Sequence, residues 1–310
     1  MSDHTHESLA IETIERWLQP GFRPVLDRLD GAVSTNAASI TLEFGSSMSR
    51  GDTLSIGMED YLVWSYNSST KVAVTEPAQH GSTTAAHSDN AKVWIRPKWS
   101  PWQVAKAIND EIISWGDEIY KVLTDSFATV AGQPLLALDS TFNLDVPLYR
   151  LLDARIQTDD VRVQVEAPYR YRSWRRAKRP RLVRGLSSTD YPYGALHLGE
   201  IPQFSGSVYA SFAVGFDMDT FPATSNNVLT TDYGLTESQQ ELAALGAALR
   251  LMQGLDTARL DRSAQGEPRR AEEVPVTGPG QVSTTLLRTY VRKYQQEVRK
   301  MSTQFPMSMA

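Results

Sequence analysis

Apolar residues first recur at helical spacing between Ser8 and Leu18, where Ile11, Ile14 and Leu18 share a face with Trp17 beside it and Pro20-Gly21 marks a stop. Residues Pro24 to Leu29 are expected to add a further turn. From Ser39 to Ile95 the period becomes two. Ile40, Leu42 and Phe44 alternate with polar residues, as do Leu54 with Ile56, Leu62 with Trp64, Val72 with Val74, and Val93 with Ile95. Turn residues fall between them at Gly45-Ser46-Ser47, Arg50-Gly51-Asp52 and Asn67-Ser68-Ser69, so a small β-barrel or meander is predicted.

Ser100-Pro101-Trp102-Gln103 is the strongest local signal: a serine N-cap, proline at the first helical position, and glutamine three residues after the cap. Val104, Ile108, Ile112, Trp115 and Ile119 then give one apolar face to about Val122, with a bend allowed at Gly116. Short strands are predicted again at Leu135-Leu136, Val146, Val161–Val165, Leu182-Val183, Ala195–Leu198 and Val208–Phe212, which reads as an antiparallel sandwich from Gln133 to Phe216. Thr236 and Gln239 form a second capping box ahead of Leu242, Leu245, Leu249 and Met252. Small residues at Ala243, Ala244, Gly246, Ala247 and Ala248 would let a neighbouring helix approach closely. Residues 259–281, with Pro275, Gly278, Pro279 and Gly280, read as an extended linker. Ser283 is expected to cap a last helix whose Leu287, Val291, Tyr294, Val298 and Met301 repeat at four, three, four and three, before an arm carrying Phe305, Met307 and Met309.

The predicted class is therefore α+β: a helical core with two inserted antiparallel β-lobes, one a small barrel or meander and one a sandwich, and an extended C-terminal arm. The segments are an N-terminal helical piece (1–31), a small β-module (32–98), a core helix (99–132), a sandwich-like lobe (133–220), a second core helix (221–258), a linker (259–282), and the C-terminal helix with its arm (283–310).

Composition narrows the function. The chain of 310 residues has no cysteine, which excludes disulfides, thiolate metal sites and cysteine nucleophiles. A polar, acidic N-terminus and the lack of a long apolar run predict neither a signal peptide nor a membrane span, and a product that stays in the cytosol or assembles there. A net charge of −5 argues against a surface devoted to nucleic acid. The charge is unevenly placed. Arg170, Arg172, Arg175, Arg176, Lys178, Arg179, Arg181 and Arg184 fall in one stretch without an acid, interleaved with Tyr169, Tyr171 and Trp174. That stretch suits a hairpin facing an acidic partner, a phosphate contact, or a solvated loop.

Other chemistry is thinner. His80 and His87 lack the third and fourth ligands that zinc needs and read as loop or hairpin residues, and Asp217-Met218-Asp219 reads as a turn after a strand. No nucleophile elbow, phosphate-binding loop or zinc-protease motif occurs, so a protein without catalysis, cofactor or metal is expected. The candidate partner-binding residues are Arg170, Arg172, Trp174, Arg175, Arg176 and Arg179 in the basic hairpin, Leu287, Val291, Tyr294, Val298 and Met301 in the last helix, and Phe305, Met307 and Met309 in the arm. The stripe from Leu287 to Met301 fits packing within the subunit or between subunits.

Three stretches resemble the head–tail connector (adaptor, neck) proteins of tailed bacteriophages. The first is Glu59-Asp60-Tyr61-Leu62-Val63, Lys71-Val72-Ala73-Val74-Thr75 and His80-Gly81-Ser82-Thr83-Thr84-Ala85-Ala86-His87 with Val93, similar to a small β-module of that family. The family has Arg-Gly where this chain has Gln79-His80-Gly81. The second, Trp99-Ser100-Pro101 through Ala107-Ile108-Asn109-Asp110-Glu111-Ile112, resembles the helix that follows the module. The third, Glu241 to Leu251, resembles the family's later helix. These matches cover about half of the chain in the expected order. The resemblance implies a subunit of a homo-oligomeric, dodecameric ring in the virion neck, assembled in the host cytoplasm. It would join the portal protein to the next neck or tail protein and could touch packaged DNA. A minor tail or baseplate protein, or a DNA- or glycan-binding accessory protein, are the alternatives.

Overall fold

The structure is a computed structural model that describes residues 4–18, 25–138, 148–158, 173–184, 189–202, 206–216, 228–264 and 278–304; for 157–158, 173–175, 253–264 and 278–283 it describes the backbone alone. The chain mixes helix and antiparallel sheet and divides into two compact units, Met1–Ser114 with Thr220–Gln296 and Trp115–Asp219 with Glu297–Ala310.

In the first unit, α1 (His6–Thr13) opens on a capping box in which Thr5 and Ser8 exchange side-chain and backbone hydrogen bonds, and it runs into a π-helical turn at Ile14–Leu18. Residues 25–28, expected to be helical, instead form β1 (Val25–Arg28). It is one edge of a six-stranded antiparallel sheet with β2 (Ser39–Thr41), β3 (Thr53–Ile56), β4 (Glu59–Asn67), β5 (Val72–Glu76) and β6 (Lys92–Ile95), in the order β1-β6-β3-β4-β5-β2. The edge strands meet at a Leu29–Leu42 bridge, and the Asp30 N–H donates to the Thr41 carbonyl at 3.0 Å, so the sheet curls into a half-barrel. Leu29, Ile40, Leu42, Leu54, Ile56, Val63, Val93 and Ile95 fill it. Phe44 lies beyond β2 and is exposed. The turn there is held by Asp27, whose buried carboxylate accepts from the N–H groups of Arg28, Phe44, Gly45 and Ser46 at 2.7–3.1 Å. Burial alone would raise the Asp27 carboxyl, but those bonds outweigh it and hold it below the ordinary carboxylate value.

α2 (Pro101–Ser114) begins as its sequence predicts, Ser100 and Gln103 bonding each other's backbone N–H at 3.2 and 3.3 Å. It does not reach Val122. Gly116 adopts φ +59° in the left-handed region, which favours glycine, and the chain turns out of the helix there. α3 (Glu237–Ala264) is capped by Thr236 and Gln239 and buries Leu242, Ala243, Leu245, Ala247 and Ala248. Its small-residue face does bring a neighbour close. A Cβ on Gly246 would lie 2.4 Å from the Glu111 Cδ of α2. The helix also continues through residues 259–264, into the predicted linker, where Arg259, Leu260, Arg262 and Ala264 keep helix propensity high. α4 (Gly278–Gln304), whose residues as far as Gln296 belong to this unit, starts five residues before the expected Ser283 cap. Pro279 occupies its first turn, where a missing N–H removes no intrahelical bond.

The second unit opens on β7 (Lys121–Thr129), in part where a helix is predicted to end. β9 (Leu148–Thr158), β10 (Ser173–Arg176) and β13 (Gly206–Val214) join it in an antiparallel sheet ordered β10-β9-β13-β7. β8 (Leu135–Ala137), β11 (Arg181–Val183) and β12 (Ala195–His197) make a second sheet ordered β11-β12-β8. Residues of both sheets share one core that includes Phe127, Leu136, Ile156, Leu196, Val208 and Phe212. The strands expected at Val146 and Val161–Val165 lie outside the described residues.

Candidate functional site

Glu59, Asp60, His80 and His87, all in the first of the three stretches, are joined by hydrogen bonds around β4. Glu59 and Asp60 are neighbours on β4, so their side chains point to opposite faces, and each finds a histidine. The Glu59 Oε2 accepts from the Tyr61 hydroxyl at 2.7 Å and the Ala85 N–H at 3.0 Å, and lies 2.9 Å from His87 Nε2. Burial would raise this carboxyl. The bonds from His87, Tyr61 and Ala85 prevail and hold it below the ordinary value, while burial and the same bond push the Tyr61 hydroxyl far up. His87 also pairs with Val33 through both backbone groups, at 2.8 and 2.9 Å, so the connection between β5 and β6 is pinned from two sides.

Asp60 links the barrel to a helix. Its Oδ1 accepts from Ser55 Oγ at 2.6 Å, and its Oδ2 accepts from Ser100 Oγ at 2.8 Å and lies 3.2 Å from His80 Nδ1. Ser100 is the N-cap of α2, so the hydroxyl that starts the helix also ties it to β4. Among the described residues no group of three or more His, Cys, Asp or Glu side chains is placed to hold a metal ion. The paired carboxylates precede His80 and His87 by 20 and 28 residues, and only the β4 pairing brings them together.

A second network joins three helices. Arg250 of α3 donates from Nε to Glu111 Oε2 of α2 at 2.6 Å and from Nη2 to Ser114 Oγ at 2.8 Å. The Tyr290 hydroxyl of α4 donates to Glu111 Oε1 at 2.5 Å, and burial together with this bond pushes the tyrosine's pKa far up. Lys293 reaches Glu241 of α3 at 2.5 Å, and the Tyr290 and Tyr294 rings lie 5.9 Å apart. The inward line of α4 thus runs through Tyr290 and Lys293, one step from the expected stripe. Leu287 and Val291 face out, 46 % and 42 % exposed, while Tyr294, Val298 and Met301 are half-buried.

The basic hairpin is described in part. Arg170 and Arg172 lie outside the described residues, as do Phe305, Met307, Met309 and the Asp217-Met218-Asp219 turn. Trp174 and Arg175 are placed on β10 by their backbone, opposite Gln157 and Ile156 of β9. Arg176 pairs with Asp153 at 2.9 Å, and Arg179 sits in the turn after β10 with φ +55°.

No protein-family model and no curated protein matches this chain. Among the described residues no helix is long and apolar enough to cross a membrane.

Proposed function

We propose that this chain is a structural protein of the tailed-phage virion, a head–tail connector subunit that forms a ring between the portal and the tail. The reading is carried by one observation. Glu59, Asp60, Ser82, His87 and Ser100, which lie in the stretches resembling connector proteins, belong to hydrogen-bonded networks bracing the half-barrel and the start of α2. A body braced from within suits a subunit that must keep its shape while neighbours bind its surface. The uncovered Leu287 and Val291 on α4 supply apolar area for such a neighbour. A closed ring needs two different patches that meet on successive copies, and this apolar area would be one of them.

The test is imaging of the virion neck at residue resolution together with sizing of the purified full-length chain. The expected result is a ring of copies at the neck. A chain found in infected-cell lysate and never in particles would defeat the reading.

A further inference from the structure

We propose that the second unit carries a binding face for the phosphodiester backbone of nucleic acid, centred on Arg155, Arg176, Arg179, Arg181 and His197. On the four-stranded sheet Arg176, Arg155 and Tyr209 stand directly across from one another on β10, β9 and β13. Directly opposed residues of an antiparallel sheet share a face, and this one is outward: the two arginine side chains are 64–65 % exposed and Tyr209 is exposed, whereas Ala154, Ile156, Val208 and Ala210 of the other face are buried.

Two like charges side by side cost stability. Asp153 offsets that cost by accepting from the Nε of both arginines, at 2.8 and 2.9 Å, and the pair holds its carboxyl below the ordinary value although burial would raise it. These contacts use Nε, and the terminal guanidinium nitrogens of side chains this exposed are the donors that fork onto a phosphate. A groove of about 1020 Å³ continues from Asp153 and Arg176 to Arg179, Arg181 and His197. Arg181 and His197 are cross-strand partners. His197 Nδ1 accepts from the Gly199 N–H at 2.9 Å, which leaves Nε2 as the donor in the neutral ring.

The turn that presents Arg179 is held in place at some cost. Arg179 has a positive φ ahead of Pro180, a strained conformation for a side chain of this size. The turn sits so close to Gly199 that a Cβ there would fall 1.8 Å from the Lys178 carbonyl oxygen. Lys178, Arg179, Arg181 and Arg184 are all exposed, and among the described residues none has a carboxylate partner.

Charge of this kind could meet an acidic protein segment or a nucleic acid, and the lining favours the second. Protein interfaces are built around a desolvated apolar centre, and among the described residues lining the groove none is an exposed large hydrophobic. A phosphate backbone binds by distributed cations, with an exposed aromatic ring as a stacking surface.

The experiment is fluorescence anisotropy of a labelled duplex of about 20 base pairs with the full-length chain, from about 50 mM salt upward. The Arg179→Ala/Arg181→Ala variant removes two exposed side chains that have no ion partner among the described residues, so its fold is expected to be intact, as circular dichroism would check. It should bind at least about tenfold more weakly at low salt, with the slope of log affinity against log salt reduced by about 2. The Arg288→Ala/Arg292→Ala variant, which removes two exposed cations of α4, should match the wild type. A double variant that keeps wild-type affinity and slope would overturn the proposal. So would tighter binding of labelled polyglutamate of equal charge than of the duplex, which would assign the face to an acidic protein. The assay reads the isolated chain and stands apart from whether a ring forms in the neck.

Discussion

In the first unit the ionised groups that matter lie inside. Glu59, Asp60 and Glu111 are all but removed from solvent, and between them they accept bonds from Tyr61, Ala85, His87, Ser55, Ser100, Arg250 and Tyr290. In the second unit Asp153 is also mostly covered, yet the arginines that cover it are nearly two-thirds exposed. The same pairing chemistry has opposite consequences. A buried carboxylate stripped of its partners is costly, so such networks fix a shape. An exposed ion pair adds little stability, so a face made of them is not accounted for by folding. The contrast separates a part of the molecule that holds form from a part that offers charge.

The largest effect expected on the braced side is from Glu59→Ala. It leaves the Tyr61 hydroxyl, the Ala85 N–H and His87 without their acceptor in a closed space. A loss of about 3–5 kcal/mol in denaturant unfolding is expected. A change below about 1 kcal/mol would mean that water or a rearranged β5–β6 connection replaces the carboxylate, and the distinction between the two units would fall.

Next is a pH effect from α1. His6 is fully buried against the edge of Tyr233, ring centroids 5.2 Å apart, and burial lowers its pKa to about 4. As pH falls below 6.5 the unfolded chain takes up this proton before the folded one does. The stability that His6 contributes is therefore complete above 6.5 and drains away toward pH 4, a total of about 3 kcal/mol. Glu59, whose folded value is also lowered, adds to the same acid-side loss below its ordinary value of 4.5. A His6→Phe chain should show a visibly flatter stability profile between pH 6.5 and 4. An unchanged slope would assign the acid sensitivity elsewhere.

Tyr290→Phe is the milder break, because Glu111 keeps Arg250. Loss of a bond to a charged acceptor should cost about 1.5–3 kcal/mol. Hydrogen exchange along α4 should rise more than exchange in the half-barrel if the hydroxyl is what fastens this helix. Uniform exchange in both would argue against it.

How much of this could be read beforehand depends on how local the determinant is. Both capping boxes and the strands around Leu54, Leu62, Val72 and Val93 are set by residues within a few positions of one another, and they stand as the pattern predicts. So does the close approach at Gly246, since small residues on one helix face permit little else. β1, β7 and β9 were not legible, because their strand state depends on partners far along the chain. α4 is a subtler case. Leu287, Val291, Tyr294, Val298 and Met301 give a seam by hydrophobicity, but the helix is oriented by Tyr290 and Lys293 reaching for carboxylates, and a period of apolar residues does not register polar anchors. The His80 and His87 pairs share that limit, since sequence separation hid the acids that face them.

The smallest effect is expected on the open side, from Arg176→Ala. Asp153 would keep Arg155 at 2.8 Å, and the sheet would lose a like-charge cross-strand pair. Those changes oppose each other, and exposed pairs contribute at most about 1 kcal/mol, so unfolding stability should move by no more than about 0.5 kcal/mol in either direction. Set beside Glu59→Ala, this is the sharpest form of the comparison: one ionised group removed from each unit, with a severalfold difference in cost. A loss at Arg176 as large as that at Glu59 would show that the outward arginines hold the second unit together. The face would then be explained by folding, and its charge would need no ligand.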